Sequence, residues 1–247
     1  MHKVLILGGT AEAVDLATRL DGDKRIHPIT SFAGRTKAPR AVPGGLRVGG
    51  FGGADGFASY LASEEIFAVI DATHPFAAQI SVHAAEACAN ATCPSARLER
   101  LPWEAHQDDD WHEVATVEAA AERIPSGSRI FVTTGRQELA PFFARDDIWM
   151  LVRVIDPLDE PILPERGIAI AARGPFSTES EIELMRDHGI EWLVSKNSGG
   201  ASSYGKIEAA RELGLPVIMV RPPTAAQCES VFRSVDEVCG WLEGLLP

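Results

Sequence analysis

The sequence predicts an α/β protein built from two doubly wound parallel sheets with a cleft between them. Three observations predict it. Short apolar runs recur roughly every 20–30 residues with helix-like segments between them, the signature of βαβ units. The alternation breaks once, at the polar acidic stretch His106-Gln107-Asp108-Asp109-Asp110, and then restarts. Several apolar runs also end in small or polar residues, which suit the ligand-facing edge of such a sheet. At 247 residues the chain has the length of one large or two small domains, since a domain usually takes about 100–150.

In the first half the strand candidates are Lys3–Leu7, Arg25–Thr30, Leu46–Gly49, Ala68–Asp71 and Ala96–Leu98. Helix candidates lie between them over Ala11–Leu20, Ala54–Glu64 and Pro75–Ala89, the last with a proline suited to a first helical turn. After Pro102-Trp103-Glu104 and the acidic stretch, poor strand or core material, Ala115–Ile124 reads as a helix. Arg129–Thr133, Trp149–Val154 and Gly167–Ala171 read as strands. Ser177–His188 is a helix with Ser177 as cap and Gly189 as stop. Trp192–Ser195 and Pro216–Val220 are strands around a helix over Tyr204–Leu213, the later strand able to complete either sheet, and Val235–Leu246 is a last helix. Each half is thus Rossmann-like, with boundaries at 1–102 and 103–247. No residue pattern repeats between them, so the expectation is two similar folds and not a sequence repeat.

Composition narrows the function. Apolar residues make up 45% and charged residues 23%, ordinary for a globular chain and too apolar for disorder. No apolar run reaches the roughly 18–20 residues that span a bilayer, and Met1-His2-Lys3-Val4 enters a strand with no signal peptide. The expectation is a cytoplasmic protein with no membrane partner. The net charge is −12; residues 1–102 carry 10 Lys/Arg and 10 Asp/Glu, and residues 103–247 carry 13 and 25. Such acidity argues against nucleic acid, which needs a basic surface. An anionic small ligand held by a few local cations stays open. Cys88, Cys93, Cys228 and Cys239 form no CxxC, so neither a metal site nor a disulfide framework is expected.

Val4-Leu5-Ile6-Leu7-Gly8-Gly9-Thr10-Ala11-Glu12-Ala13 reads as strand, tight turn and helix. A helix N-terminus offers free N–H groups and a positive dipole end to phosphate. The match to GxGxxG is imperfect, with Thr10 and Ala13 at the second and third glycine positions. Thr10 could cap the helix or bond a phosphate oxygen, and a turn that merely closes a βα unit stays open. The second strand ends in Ser31-Phe32-Ala33-Gly34-Arg35-Thr36-Lys37 without an acid. An acid there would select NAD, whereas an arginine suits the extra phosphate of NADP. Ser31, Arg35 and Thr36 are therefore candidates for a 2′-phosphate pocket, and NADPH is the favoured cofactor. Gly50 and Gly52, in the loop Gly49-Gly50-Phe51-Gly52-Gly53, allow close backbone approach to a ligand or simply a tight connection.

Other strand ends carry chemistry. Asp71-Ala72-Thr73-His74 brings a carboxylate, a hydroxyl and an imidazole to one turn, with Asp71 able to cap or orient. Thr133-Thr134-Gly135-Arg136, Ala172-Arg173-Gly174 and Lys196-Asn197-Ser198 bring cations and polar groups to the second sheet's edge, and Lys206 follows at a helix start. There is no GxxxxGK[ST], HExxH or GxSxG, and the Tyr204–Lys206 spacing is wrong for a short-chain dehydrogenase pair. Nicotinamide chemistry asks mainly for orientation and electrostatics, so a missing triad does not count against a reductase.

The ordered motifs Gly8-Gly9-Thr10-Ala11-Glu12-Ala13, Ser31-Phe32-Ala33-Gly34-Arg35, Asp71-Ala72-Thr73-His74-Pro75-Phe76-Ala77, Thr133-Thr134-Gly135-Arg136 and Lys196-Asn197-Ser198-Gly199 resemble the precorrin-6A reductase family over nearly the whole length. The resemblance implies an oxidoreductase of cobalamin biosynthesis that reduces a macrocycle double bond of precorrin-6A to precorrin-6B with NADPH. It implies a cofactor domain at 1–102, with Gly8, Gly9, Thr10, Ala11, Glu12, Ser31, Arg35, Thr36, Gly50, Gly52 and Thr73 at the cofactor. In the second domain Arg136, Arg173, Lys196, Asn197, Ser198 and Lys206 would meet the carboxylates of the precorrin. His74 is the nominee for proton donor. Hand-off between enzymes of the pathway is the expected partnership. A cobalt-precorrin-6A reductase of the anaerobic route, a non-catalytic NADP(H)- or tetrapyrrole-binding protein and a transferase on a similar sheet remain alternatives.

Overall fold

The computed structural model describes residues 1–34, 41–159, 165–224 and 228–247. Two compact units divide the chain: Met1–Leu101 together with Pro223–Pro247, and Pro102–Pro222. Both crossings fall at proline joints, Leu101-Pro102 and Pro222-Pro223, which suit boundaries because proline has no N–H to place in a ladder.

The first segment runs β1 (His2–Leu7), α1 (Ala11–Asp21), β2 (Ile26–Phe32), β3 (Gly45–Val48), α2 (Gly53–Ser63), β4 (Ile66–Asp71), α3 (Ala78–Ala91) and β5 (Ser95–Leu98). The second unit holds β6 (Trp111–Val114), α4 (Val117–Arg123), β7 (Arg129–Val132), a 3-10 turn over Arg136–Glu138, α5 (Ala140–Phe143) and β8 (Trp149–Val154). It continues with β9 (Gly167–Ala171), α6 (Thr178–Asp187), β10 (Trp192–Lys196), α7 (Gly205–Leu213) and β11 (Val217–Val220). The chain then returns to the first unit with β12 (Val231–Phe232) and α8 (Val235–Leu245).

Among the described residues each unit carries a six-stranded parallel sheet, ordered β12-β5-β4-β1-β2-β3 and β6-β11-β10-β7-β8-β9. Strands buried on both faces are near-continuous apolar runs, as parallel sheets require: Val4, Leu5, Ile6 and Leu7 of β1 are all at most 2% exposed. In the first unit α1 and α8 cover one face, with Leu16, Ala17, Val238 and Leu242 in a single cluster. Phe57 and Leu61 of α2 and Ala84, Ala87 and Cys88 of α3 fill the other. In the second unit Met185 of α6 and Ile207 and Ala210 of α7 pack on Phe131, Leu151 and Leu193. Four helices begin at a hydroxyl cap, Thr10, Thr116, Ser177 and Ser234, each accepting the N–H three residues on.

The expected fold class of two Rossmann-like parallel-sheet domains holds. The expected boundary at 103–247 does not, because residues 223–247 belong to the first unit. β12 adds to the edge of β5, and Val235, Val238 and Leu242 of α8 are buried against α1 and β1. Pro216–Val220 settles in the second sheet as β11, between β10 and β6. The helix expected from Pro75 starts at Ala78, since Ala77 N–H closes a turn onto His74 O. The acidic stretch is also docked more firmly than expected: the Asp109 side chain is 1% exposed and takes both Nε and Nη2 of Arg211.

Candidate active site

Parallel sheets bind ligands outside the carboxyl ends of their strands, where the strand order reverses. In the first unit that switch lies between β1 and β4. Gly8 follows β1 so closely packed against β2 that a Cβ would stand 2.8 Å from Thr30 Cγ2 and 3.0 Å from Phe32 Cε1. Gly9 takes φ +118°, with open space where its Cβ would be. Thr10 caps α1: its Oγ1 accepts from Ala13 N at 3.2 Å and donates to Ala72 O at 2.7 Å. The hydroxyl thereby ties the β1 turn to the β4 turn. The N–H groups of Ala11 and Glu12 have no partner within a helix at these positions, so a phosphate would meet backbone there and not the Thr10 side chain.

Glu12 turns its carboxylate toward Arg100, 3.8 Å away, beyond the end of β5. Glu12 Oε2 and Arg100 Nη2 are buried without a hydrogen-bond partner, and burial lowers the Arg100 pKa from its ordinary value. Arg100 escaped sequence reading because nothing in Glu99-Arg100-Leu101 marks it out.

At the end of β4, Asp71 Oδ1 accepts from Thr73 N at 3.1 Å and from Thr73 Oγ1 at 2.6 Å. Asp71 Oδ2 takes Arg97 Nη1 at 2.8 Å, both residues being buried. The turn continues to His74, whose Nδ1 accepts from Phe76 N at 3.2 Å. That bond puts the proton of the neutral imidazole on Nε2.

Ser31 is buried in β2 and stands opposite Arg47 of β3. Arg47 Nη1 lies 3.4 Å from Ser31 Oγ and 2.6 Å from Gly49 O, and Nη2 lies 2.9 Å from Gly50 O. Its guanidinium stacks 3.6 Å from the Phe51 ring centre. Arg47 thus shapes the glycine loop carrying Gly50 and Gly52, a cation the sequence hides because only cross-strand register sets it beside Ser31. Arg35 and Thr36 lie outside the described residues.

In the second unit the switch lies between β7 and β10. Thr133 Oγ1 donates to Val194 O at 2.9 Å and ties the two strands. Lys196 Nζ pairs with Glu138 Oε2 at 2.5 Å, and Arg136 pairs with Asp159. Arg173 is exposed beyond β9. Asn197 clamps the backbone of Trp103, accepting from its N at 2.7 Å and donating to its O at 2.8 Å. Ser198 Oγ stands 3.4 Å from Ser203 Oγ. Lys206 is 5% exposed, donates to Ser203 O at 2.7 Å and lies 5.0 Å from the Trp103 ring centre. Burial, with Arg153 nearby, lowers its ammonium pKa to about 7, and Glu181 only partly opposes this. Arg153 and Glu181 form a buried two-pronged pair, with the Arg153 guanidinium 3.8 Å from the Phe176 ring centre.

A strand-order switch with a glycine turn and a capped helix in one unit, and a second switch with polar and charged strand ends in the other, mark a two-unit Rossmann-like α/β protein. The family model for precorrin-6x reductase CbiJ/CobK matches residues 3–243. The precorrin-6A reductase of Rhodococcus erythropolis is 44% identical over 242 residues, covering 97% of this chain and 96% of that protein. The cobalt-precorrin-6A reductase of Priestia megaterium is 30% identical over 250 residues, covering 95% and 96%. The solved structure of CobK precorrin-6A reductase aligns with a TM-score of 0.93 at 41% identity, covering 99% of this chain and 97% of that one. The chain belongs to the precorrin-6x reductase family CbiJ/CobK. Among the described residues no helix is long and apolar enough to cross a membrane.

Proposed function

We propose that this chain reduces one double bond of precorrin-6A, giving precorrin-6B for cobalamin biosynthesis, with NADPH as reductant. The match to the reductase family along residues 3–243 is the observation that carries the reading. The higher identity to the Rhodococcus precorrin-6A reductase than to the Priestia cobalt enzyme favours a metal-free substrate. We also read the enzyme as cytoplasmic and as passing its product to another enzyme of the pathway.

The first crevice fits a dinucleotide. Gly9 leaves open space above the turn, α1 begins at it, and Arg100, paired with Glu12 at 3.8 Å, keeps a buried Nη2 that makes no hydrogen bond. The phosphate of NADPH is favoured by Ser31, with no acid among residues 31–34 and with Arg47 alongside. In this reading the backbone at Gly9, Ala11 and Glu12 holds the pyrophosphate, and Ser31 and Arg35 face the 2′-phosphate. Bound NADPH supplies the hydride. Thr73 orients the nicotinamide half, and His74, once protonated to the imidazolium with its Nδ1 released from Phe76 N–H, delivers the proton from Nε2 and returns to the neutral ring. Arg136, Arg173 and Lys196 neutralise carboxylates of the macrocycle; Lys206, buried with its ammonium on Ser203 O, is the least accessible of the expected cations.

The test is anaerobic turnover of metal-free precorrin-6A with NADPH beside NADH, followed by nicotinamide absorbance and product mass. A gain of two hydrogens with strong preference for NADPH is the expected result. Turnover of only the cobalt-containing substrate would move the chain to the anaerobic route, and NADPH binding without oxidation would make it a sensor. His74→Ala should lower kcat, and near-normal turnover would remove His74 as the acid. Arg35→Ala should raise KM for NADPH far more than for NADH; an equal effect would take Arg35 out of the phosphate pocket.

A further inference from the structure

The Asp71–Arg97 pair sits where an ion pair is costly. Strands β4 and β5 are otherwise apolar here, with Ile70, Ala96 and Leu98 at most 5% exposed. Removing two charges from water costs several kcal/mol per ion, and apolar residues of similar volume often serve stability as well or better. Packing alone therefore does not account for the pair. Its geometry gives another reason. Asp71 and Arg97 are register partners on adjacent strands, so the guanidinium meets the carboxylate at the last residue of β4. Arg97 Nη1 occupies Oδ2, which leaves Oδ1 directed at residue Thr73, where it holds both N–H and hydroxyl. Ala72 in between is held from two sides, by Thr10 Oγ1 on its carbonyl and by Leu7 O on its N–H at 3.1 Å. Every residue from Asp71 to Thr73 is thereby fixed before the chain reaches His74.

We propose that Asp71 and Arg97 are positioning residues for the reduction, Arg97 acting through Asp71 and Asp71 through Thr73 to set the turn that presents Thr73 and His74 to the crevice. The proposal rests on placing the cofactor and the acid at this crevice. Both act at one remove, through the turn that carries Thr73 and His74.

The variants are Asp71→Asn, Arg97→Gln and the conservative Arg97→Lys, with Leu242→Ala in α8 as a matched loss of stability in the same unit. Two readouts are taken: amide hydrogen exchange of residues 72–77 in the free protein, and kcat and KM for precorrin-6A with NADPH. Loss of a buried hydrogen bond to a charged group should speed exchange of the turn about tenfold or more. Asp71→Asn and Arg97→Gln should do so and lower kcat by a similar factor while KM for the macrocycle stays within about twofold. Arg97→Lys should recover much of both, and Leu242→Ala should melt earlier with the turn and kcat unchanged. Unchanged exchange and kcat in Asp71→Asn and Arg97→Gln would overturn the proposal, as would an equal fall of kcat in Leu242→Ala. If the parent protein fails to oxidise NADPH, the cofactor reading fails, and the exchange readout still decides whether this pair holds the turn.

Discussion

The two sheets solve one problem from opposite ends of the chain. From β3 to β5 and from β9 to β11 they share a strand order, and each puts its switch between corresponding strands, β1/β4 and β7/β10. They differ in where the sixth strand comes from: β12 follows the second unit, whereas β6 precedes the rest of its own. They differ also at the crevice. After β1 a glycine turn leads directly into the 11-residue α1, so the strand end is edged by backbone N–H groups and a helix dipole. After β7 the chain makes a 3-10 turn and then the four-residue α5, so charge there comes from side chains, Arg136 beside Asp159 and Lys196 beside Glu138. One topology thus offers two ways to hold anions. Backbone groups suit a compact pyrophosphate, and long cations suit carboxylates spread around a large ring.

The two units differ most in their dependence on the returning tail. Ending the chain at Pro222 removes β12 and the buried Val235, Val238 and Leu242. At about 1.5–3 kcal/mol for each buried side chain, the first unit should lose roughly 5–9 kcal/mol. The second unit should keep its protection in hydrogen exchange; cooperative melting of residues 1–101 without the tail would show that the first sheet does not depend on it. Next comes Arg153→Met, which strands Glu181 in the interior and should cost about 3–5 kcal/mol in urea unfolding. The double variant Arg153→Met/Glu181→Leu should regain most of that; if it does not, the pair contributes more than mutual neutralisation.

The pH dependence of Lys206 comes third. Its ammonium is held at about 7 when folded, against about 10.4 in an unfolded chain. Between these values the unfolded state binds the extra proton, so stability rises with pH, by up to about 1.4 kcal/mol per unit. Below about 7 both states are protonated and the penalty is complete. Lys206→Met should flatten this rise, measured as urea midpoints from pH 6 to 9. A Met variant with the parent's slope would mean that another group titrates. Gly8→Val follows: its branched side chain would collide with Thr30 and Phe32 and should cost about 1–3 kcal/mol, with weaker NADPH binding by titration and no change in precorrin binding. Parallel loss of both ligands would blur the division between the two crevices. The smallest effect belongs to the exposed Arg19–Asp236 pair linking α1 and α8. Asp236→Asn should leave the thermal midpoint where it is, because a solvent-screened pair adds little, so a clear fall would mean that charge and not burial docks the tail.

Most of the architecture was legible because parallel strands and capped helices write strong local patterns. β1, β8 and β9 and the Ser177 cap stand where the sequence put them. The tail was not legible for a physical reason. β12 is two residues long, too short for any periodicity, and its partner β5 is remote in sequence, so nothing local selects one sheet over the other. β6 was hidden by His112 and Glu113 within its four residues. At the site, Gly8, Gly9, Thr10, Ser31 and the Asp71–Thr73 turn were legible as strand-end chemistry. Arg47 and Arg100 were not, because each is an ordinary arginine until cross-strand register or burial gives it a neighbour. Asn197 carries a contact the sequence does not show: its amide is engaged by the backbone of Trp103, a partner remote in sequence.

The returning tail has a consequence for synthesis. The ribosome finishes β5 early, yet the strand that closes its edge, through Arg97 N–H to Ser230 O, is made only after the whole second unit. At about 5–20 residues per second, the edge of the first sheet stays open for on the order of ten seconds. During that time the second unit can close with strands already in hand. The unit that is begun first is therefore the one completed last, and a nascent chain carries its unpaired sheet edge through most of translation.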